Sequence, residues 1–140
     1  MVANDECEVA LGGPSSTISS PLIVGEKIYT VASPVTLICL DKETGWIIWR
    51  AEPEGKFFRE TYSDLVLAGD YLFLFEGNYE PKWWDGKCLV LKAGRTYERV
   101  GVNRLERVVS NTPLFEGRRL YMRTLNSLFC IEELDNEENR

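Results

Sequence analysis

The chain has 140 residues, about one domain by length, with 44% hydrophobic and 27% charged side chains, an ordinary globular balance. Its 16 basic and 22 acidic residues give a net charge of −6, and the arginines of 99–107 and 118–123 are interleaved with glutamates and apolar residues. No basic stripe results, so no nucleic-acid partner is expected. Histidine is absent, which removes the Ser–His and Cys–His nucleophile pairs and the commonest transition-metal ligand; no catalytic residue and no metal site is expected.

The first residues, Met1 to Leu11, carry Asn4, Asp5, Glu6 and Glu8 and no apolar core of a leader. No stretch is long enough to span a membrane; a leader on a longer parent would make that parent periplasmic or extracellular. Residues 1–18 read as an N-terminal strand or linker, and Glu6–Leu11 as the outer strand of a preceding unit or of the last one across a ring closure. Gly12-Gly13-Pro14 lacks the lysine and strand–helix context of a phosphate loop and is read as a loop.

A first strand-rich unit covers 19–50. Leu22–Val24 and Lys27–Val31 flank Gly25-Glu26, a hairpin signal in which glycine supplies a positive φ. Thr36–Leu40 follows as a third strand. Asp41-Lys42-Glu43-Thr44-Gly45 is a tight turn in which Asp41 accepts backbone N–H bonds and Gly45 takes the left-handed position. Trp46–Arg50 is the fourth strand, with Trp46, Ile48 and Arg50 alternating against Ile47 and Trp49.

A second unit, 62–102, has strands at Asp64–Ala68, Tyr71–Glu76, Lys87–Lys92 and Thr96–Val102, with an inserted loop at 77–86. Glu60, Thr61, Tyr62, Ser63 and Asp64 are read as the start of its first strand, because nothing present activates Ser63. Phe57-Phe58 reads as packing between units. Arg104, Glu106 and Arg107 form a solvated edge, where ion pairs contribute little. The last unit, 111–132, has strands at Thr112–Phe115, Arg119–Thr124 and Leu128–Glu132 and lacks a fourth; Arg123, at a strand end, is read as an ion-pair residue, with anion binding as the alternative. Residues 133–140 are an acidic tail.

These units are repeats. Gly25, Gly69 and Gly117 are separated by 44 and 48 residues (69 − 25 and 117 − 69), and Cys39 and Cys130 by 91 (130 − 39), close to the 92 between Gly25 and Gly117. Two landmarks therefore give one register, and short strands at periods of about 40–50 residues are the signature of propeller blades. The four cysteines, Cys7, Cys39, Cys88 and Cys130, form no C-x-x-C pair. Cys39 and Cys130 lie in apolar runs, and buried free thiols are expected over a disulfide framework.

Ser19-Ser20-Pro21-Leu22-Ile23-Val24-Gly25-Glu26-Lys27-Ile28-Tyr29, followed by Asp41, Thr44, Gly45 and Trp49, resembles the pyrroloquinoline-quinone-like (PQQ-like) β-propeller repeat. In the second unit the pattern is reduced to Leu91-Lys92-Ala93-Gly94, with Tyr97 standing for the tryptophan. The stretch from Asn111 to Ile131 resembles the C-terminal blade of bacterial proteins of this type. The resemblance implies an all-β fold of about three four-stranded antiparallel blades in an incomplete or open ring. It also implies structural roles for Asp41, Thr44 and Gly45 in the turn and for Trp49 docked between blades. Quinoprotein dehydrogenases of the family hold their quinone against adjacent cysteines and a calcium ion on Glu, Asn and Asp oxygens. This chain has neither the cysteine pair nor that cluster, so no cofactor is expected.

A ring needs about 4–8 blades. The count predicts a C-terminal piece of a larger propeller; the alternatives are two copies building a six-bladed ring and an open three-blade stack held by a partner. The function expected is a non-catalytic scaffold for protein interaction or self-association, as in the outer-membrane assembly propellers of the family. The candidate surface is the inserted loop, with Tyr79, Trp83 and Trp84 as a partner hot spot. The alternatives are a fragment of a quinoprotein oxidoreductase and a carbohydrate-binding propeller stacking sugars on Trp83 and Trp84; the bland reading folds these rings back on the blade.

Overall fold

The computed structural model describes residues 19–32, 36–53, 63–76, 85–106, 112–123 and 127–132. Eleven strands and no helix occur among them, in three antiparallel sheets. The first sheet is β1 (Leu22–Val24), β2 (Lys27–Ala32), β3 (Thr36–Asp41) and β4 (Ile47–Ala51), hydrogen-bonded in chain order. The second is β5 (Val66–Ala68), β6 (Tyr71–Glu76), β7 (Asp85–Lys92) and β8 (Arg99–Glu106), with the same up-and-down order. The third has three strands, β9 (Leu114–Glu116), β10 (Arg119–Arg123) and β11 (Leu128–Glu132), with β10 in the middle.

Each sheet opens with the same two-residue hairpin. Gly25, Gly69 and Gly117 sit at φ of 58°, 59° and 58°, the left-handed region that a Cβ disfavours. The registers then run in parallel through the sheets. Leu22 pairs Tyr29 and Tyr29 pairs Cys39; Leu114 pairs Tyr121 and Tyr121 pairs Cys130. One leucine, tyrosine and cysteine row is thus built twice, once in the first sheet and once in the third.

The fourth strands differ from the expectation in two ways. β4 begins at Ile47, and a bulge between Cys39 and Leu40 interrupts the alternation expected across Trp46–Arg50. A bulge puts two residues opposite one, and Ile48 and Trp49 consequently both pack on the same apolar cluster. In the second sheet, β8 starts at Arg99, not Thr96. The Lys92 N–H donates to the Glu98 carbonyl and the Ala93 N–H to the Asp70 carbonyl, which makes 93–98 a corner instead of strand. A bulge recurs at the matching place, between Val90 and Leu91.

Apolar side chains occupy both faces of the sheets. The face of the first sheet that meets the second carries Tyr29, Val31, Leu37 and Cys39, packed with Leu72, Leu74, Leu89 and Leu91. The opposite face of the second sheet carries Phe75, Cys88 and Val90, packed with Met122 and Leu120 of the third. On its far side the first sheet buries Ala32, Ile38 and Leu40.

The hairpin glycines supply a direct test. A Cβ at Gly69 meets nothing within 4 Å, so the cost of a side chain there is conformational alone. Gly69→Val is expected to cost about 1–2 kcal/mol and Gly69→Asn less than half of that, read as shifts in the urea unfolding midpoint.

Candidate functional site

The repeat motif of the first sheet is a turn. Asp41 Oδ1 accepts the backbone N–H of Thr44 at 2.9 Å, the Thr44 hydroxyl at 2.9 Å and the N–H of Glu43 at 3.1 Å. The Thr44 Oγ1 in turn accepts the Trp46 N–H at 3.3 Å, and Gly45 holds φ 71°. Donation from the Thr44 backbone, then from its hydroxyl, holds the Asp41 carboxyl below the ordinary aspartate range. The Asp41 and Thr44 bonds hold the corner itself, and Lys42 ties it to the first hairpin by donating its backbone N–H to the Glu26 carbonyl at 2.9 Å, all of it structural work.

Trp49 reaches across to the second sheet. Its indole N–H donates to the Gly94 carbonyl at 3.2 Å, and the Tyr29 hydroxyl donates to the same carbonyl at 3.2 Å. Both lone pairs of one oxygen are thereby used. Tyr29, Trp49 and Tyr97 form a ring cluster, with centroids 5.9 Å apart for Tyr29–Trp49 and 5.5 Å, edge-on, for Trp49–Tyr97. Burial pushes the Tyr29 phenol up to about 12. Tyr97 is therefore a neighbour of the tryptophan and not its counterpart. Cys39 pairs with Trp49 just before the bulge of the first sheet, and Val90 pairs with Gly101 just before that of the second. Gly101 occupies the tryptophan position, and at the interface onward to the third sheet Phe73 stands against Phe115, 4.8 Å between centroids, beside the Phe75–Met122 cluster.

A second device joins all three sheets. Ser20, Asp64 and Thr112 each lie two residues before the first strand of their sheet. The Ser20 N–H donates to Asp64 Oδ1 at 2.6 Å, and the Asp64 N–H donates to Thr112 Oγ1 at 3.0 Å. The Thr112 hydroxyl completes the link by donating to Asp64 Oδ2 at 3.3 Å. In each step the backbone of one sheet is capped by the side chain of the next. Ser63, beside Asp64, is fully buried; its hydroxyl donates to the Phe75 carbonyl at 2.8 Å and accepts the Phe75 N–H at 2.9 Å, which stitches the incoming chain to β6.

No family model matches the chain, and no curated protein sequence matches it. Among solved structures, it is similar to the crystal structure of BamB from Moraxella catarrhalis, with a TM-score of 0.58 and 17% identity. The match covers 84% of this chain and 34% of that one, so the chain spans about a third of its neighbour's length. The fold is that of β-propeller blades. Among the described residues the blades do not close into a barrel, and the links of Trp49 and Asp64 are contacts from blade to blade.

Tyr79, Trp83 and Trp84 lie outside the described residues, as do Glu60, Thr61, Tyr62 and Arg107. Among the described residues, no group of three or more Cys, Asp and Glu side chains is placed to hold a metal ion, and no helix is long and apolar enough to cross a membrane. Cys39 and Cys88 are buried free thiols, and burial pushes the Cys88 thiol up to about 12. Cys130 departs from the expectation: it is free but exposed, because the third blade has no described neighbour on that face. Trp46 went unrecognised as a surface residue. It stands just before β4 at 77% exposure, beside the exposed Ile47. Its place between the turn glycine and the docking tryptophan was the available signal.

Two outcomes follow from these contacts. Trp49→Phe alone is expected to cost about 0.5–1.5 kcal/mol, because Tyr29 still satisfies the Gly94 carbonyl; Tyr29→Phe with Trp49→Phe is expected to exceed the sum of the singles, as a double-mutant cycle would show. The lowered carboxyl of Asp41 adds stability that is complete above the ordinary value of 3.8 and declines as pH falls through the lower folded value. The advantage over Asp41→Ala, followed by urea midpoints across an acid titration, is expected to shrink in that window.

Proposed function

We propose that the chain is a set of PQQ-like propeller blades, divided as 19–50, 62–102 and 111–132, that serves as a non-catalytic scaffold for a protein partner. The observation that carries this reading is how the polar side chains of the repeat are used. Asp41, Thr44, Trp49, Asp64 and Thr112 direct their hydrogen bonds to the backbone of their own turn or of the next blade, or to each other. Repeat proteins of this kind act through loops and edges carried on a rigid stack. The likeness to BamB supports the architecture on which such a role would rest. The partner surface assigned by this reading is the loop of Tyr79, Trp83 and Trp84, with Trp46 as an additional exposed aromatic.

Native cells expressing the tagged chain provide the test, with Trp83→Ala/Trp84→Ala compared with the parent sequence. A protein that copurifies in stoichiometric amount with the parent and falls at least about tenfold with the double variant is expected, the magnitude of a lost aromatic hot spot. Absence of any stoichiometric protein from both captures would overturn the scaffold reading. A pyrroloquinoline quinone absorbance shift that saturates with the chain and calcium would replace it with the oxidoreductase one.

A further inference from the structure

We propose that the open edge of β11 pairs with the same edge of a second copy of this chain, antiparallel and centred on Cys130, so that two third sheets join into one. The proposal rests on strand edges and register alone and is independent of the aromatic loop.

Among the described residues the three sheets end on six edges, and five of them are blunted. β1, β5 and β9 are only three residues long. β4 and β8 each have a bulge in the ladder beside them and carry arginines, Arg50 in the first and Arg99 and Arg104 in the second. β11 differs on every count. Its five residues, Leu128–Glu132, are all exposed, its ladder with β10 has no register shift, and its sole charged side chain is the last. A flat, apolar, uninterrupted edge is a template for another strand.

Which strand fits is set by where the backbone groups point. Glu116 and Arg119 close the two-residue turn between β9 and β10 and exchange its first pair of hydrogen bonds. Alternation along β10 then turns Leu120 and Met122 toward β11, where they meet Ile131 and Phe129. The N–H and C=O groups of Leu128, Cys130 and Glu132 therefore face the open edge. These positions are symmetric about Cys130, so the edge is its own complement. In a two-fold pair Cys130 faces Cys130, Leu128 faces Glu132 and Phe129 faces Ile131 of the second copy. This register pairs the whole strand, whereas centring on Phe129 or Ile131 leaves two of its residues out. No like charges meet: each Glu132 stands opposite a leucine, and Arg123 of the second copy lies one strand further along the same row. The net charge of −6 opposes approach of two copies at long range, so added salt is expected to strengthen the pair.

The test uses the full chain with Cys7→Ser, followed by sedimentation equilibrium over a concentration range of about a hundredfold. The mass is expected to rise from one copy toward two and no further, because a two-fold edge contact closes on itself. Leu128→Glu, at a position 71% exposed, sets carboxylates against each other twice and is expected to weaken the dimer at least about tenfold. Adding Glu132→Lys places opposite charges there and is expected to restore pairing, which a merely unfolded third blade would not show. The Cα atoms of the central pair would stand about 5.5 Å apart, within reach of a disulfide. Dissolved oxygen with a copper catalyst, which accepts the two electrons and two protons released as the S–S bond forms, is expected to link the copies through Cys130. A monomer at every concentration would overturn the proposal, and slow exchange of the Cys130 amide in that monomer would place another segment of the chain on the edge. A dimer that Leu128→Glu leaves intact would overturn it as well. Trp83→Ala/Trp84→Ala is expected to leave the association unchanged, which separates this edge from the loop.

Discussion

A propeller blade has apolar side chains on both of its faces, and this constraint governs everything else in the molecule. A short twisted sheet of three or four strands cannot hide two faces by itself. Each blade must be placed between two others, and the energy of the fold lies mainly in the interfaces. Large side chains of the first and second sheets point into such interfaces: Tyr29, Leu37, Leu72, Leu74, Leu89 and Phe75 are essentially inaccessible to water. The Lys42–Glu26 and Arg119–Glu132 ion pairs are both exposed, and pairs of that kind contribute at most about 1 kcal/mol.

Apolar packing does not specify which blade goes where, and the hydrogen bonds supply that information. The Gly94 carbonyl receives Tyr29 and Trp49 together, which fixes the second blade's corner against two strands of the first. Asp64 acts at the other end of the sheet, taking the Ser20 N–H on one oxygen and the Thr112 hydroxyl on the other. Two polar anchors on either side of an aliphatic layer give the stack a single register. Asp64→Asn would keep the shape of this anchor but place an amide N–H₂ against one of its donors.

The fold was legible in the sequence because its signals are local and repeated. A hairpin glycine at the same phase in three units, and leucine, tyrosine and cysteine spaced alike in the first and last, need no long-range knowledge to be seen. What escaped was whatever depends on pairing between strands. The role of Tyr97 was misassigned because spacing along the chain does not register a bulge, and the bulge transfers the tryptophan position to Gly101. Asp64 read as an ordinary strand start because its partners, Ser20 and Thr112, are 44 and 48 residues away in sequence. Cys130 read as buried for the opposite reason: an apolar run signals a buried strand only if something covers it.

The two described interfaces are unequal, and the inequality has a direction. Between the first and second blades lie a three-ring cluster, a doubly used carbonyl and nine buried cluster residues. Between the second and third, the tryptophan position is glycine, and only Met122 of the third blade is buried in the shared cluster. Phe129 and Ile131 share the face of Met122 and Leu120 by register, but each remains 47% exposed. In a stack whose stability is a sum over neighbours, the blade with one weak interface and one bare face opens first.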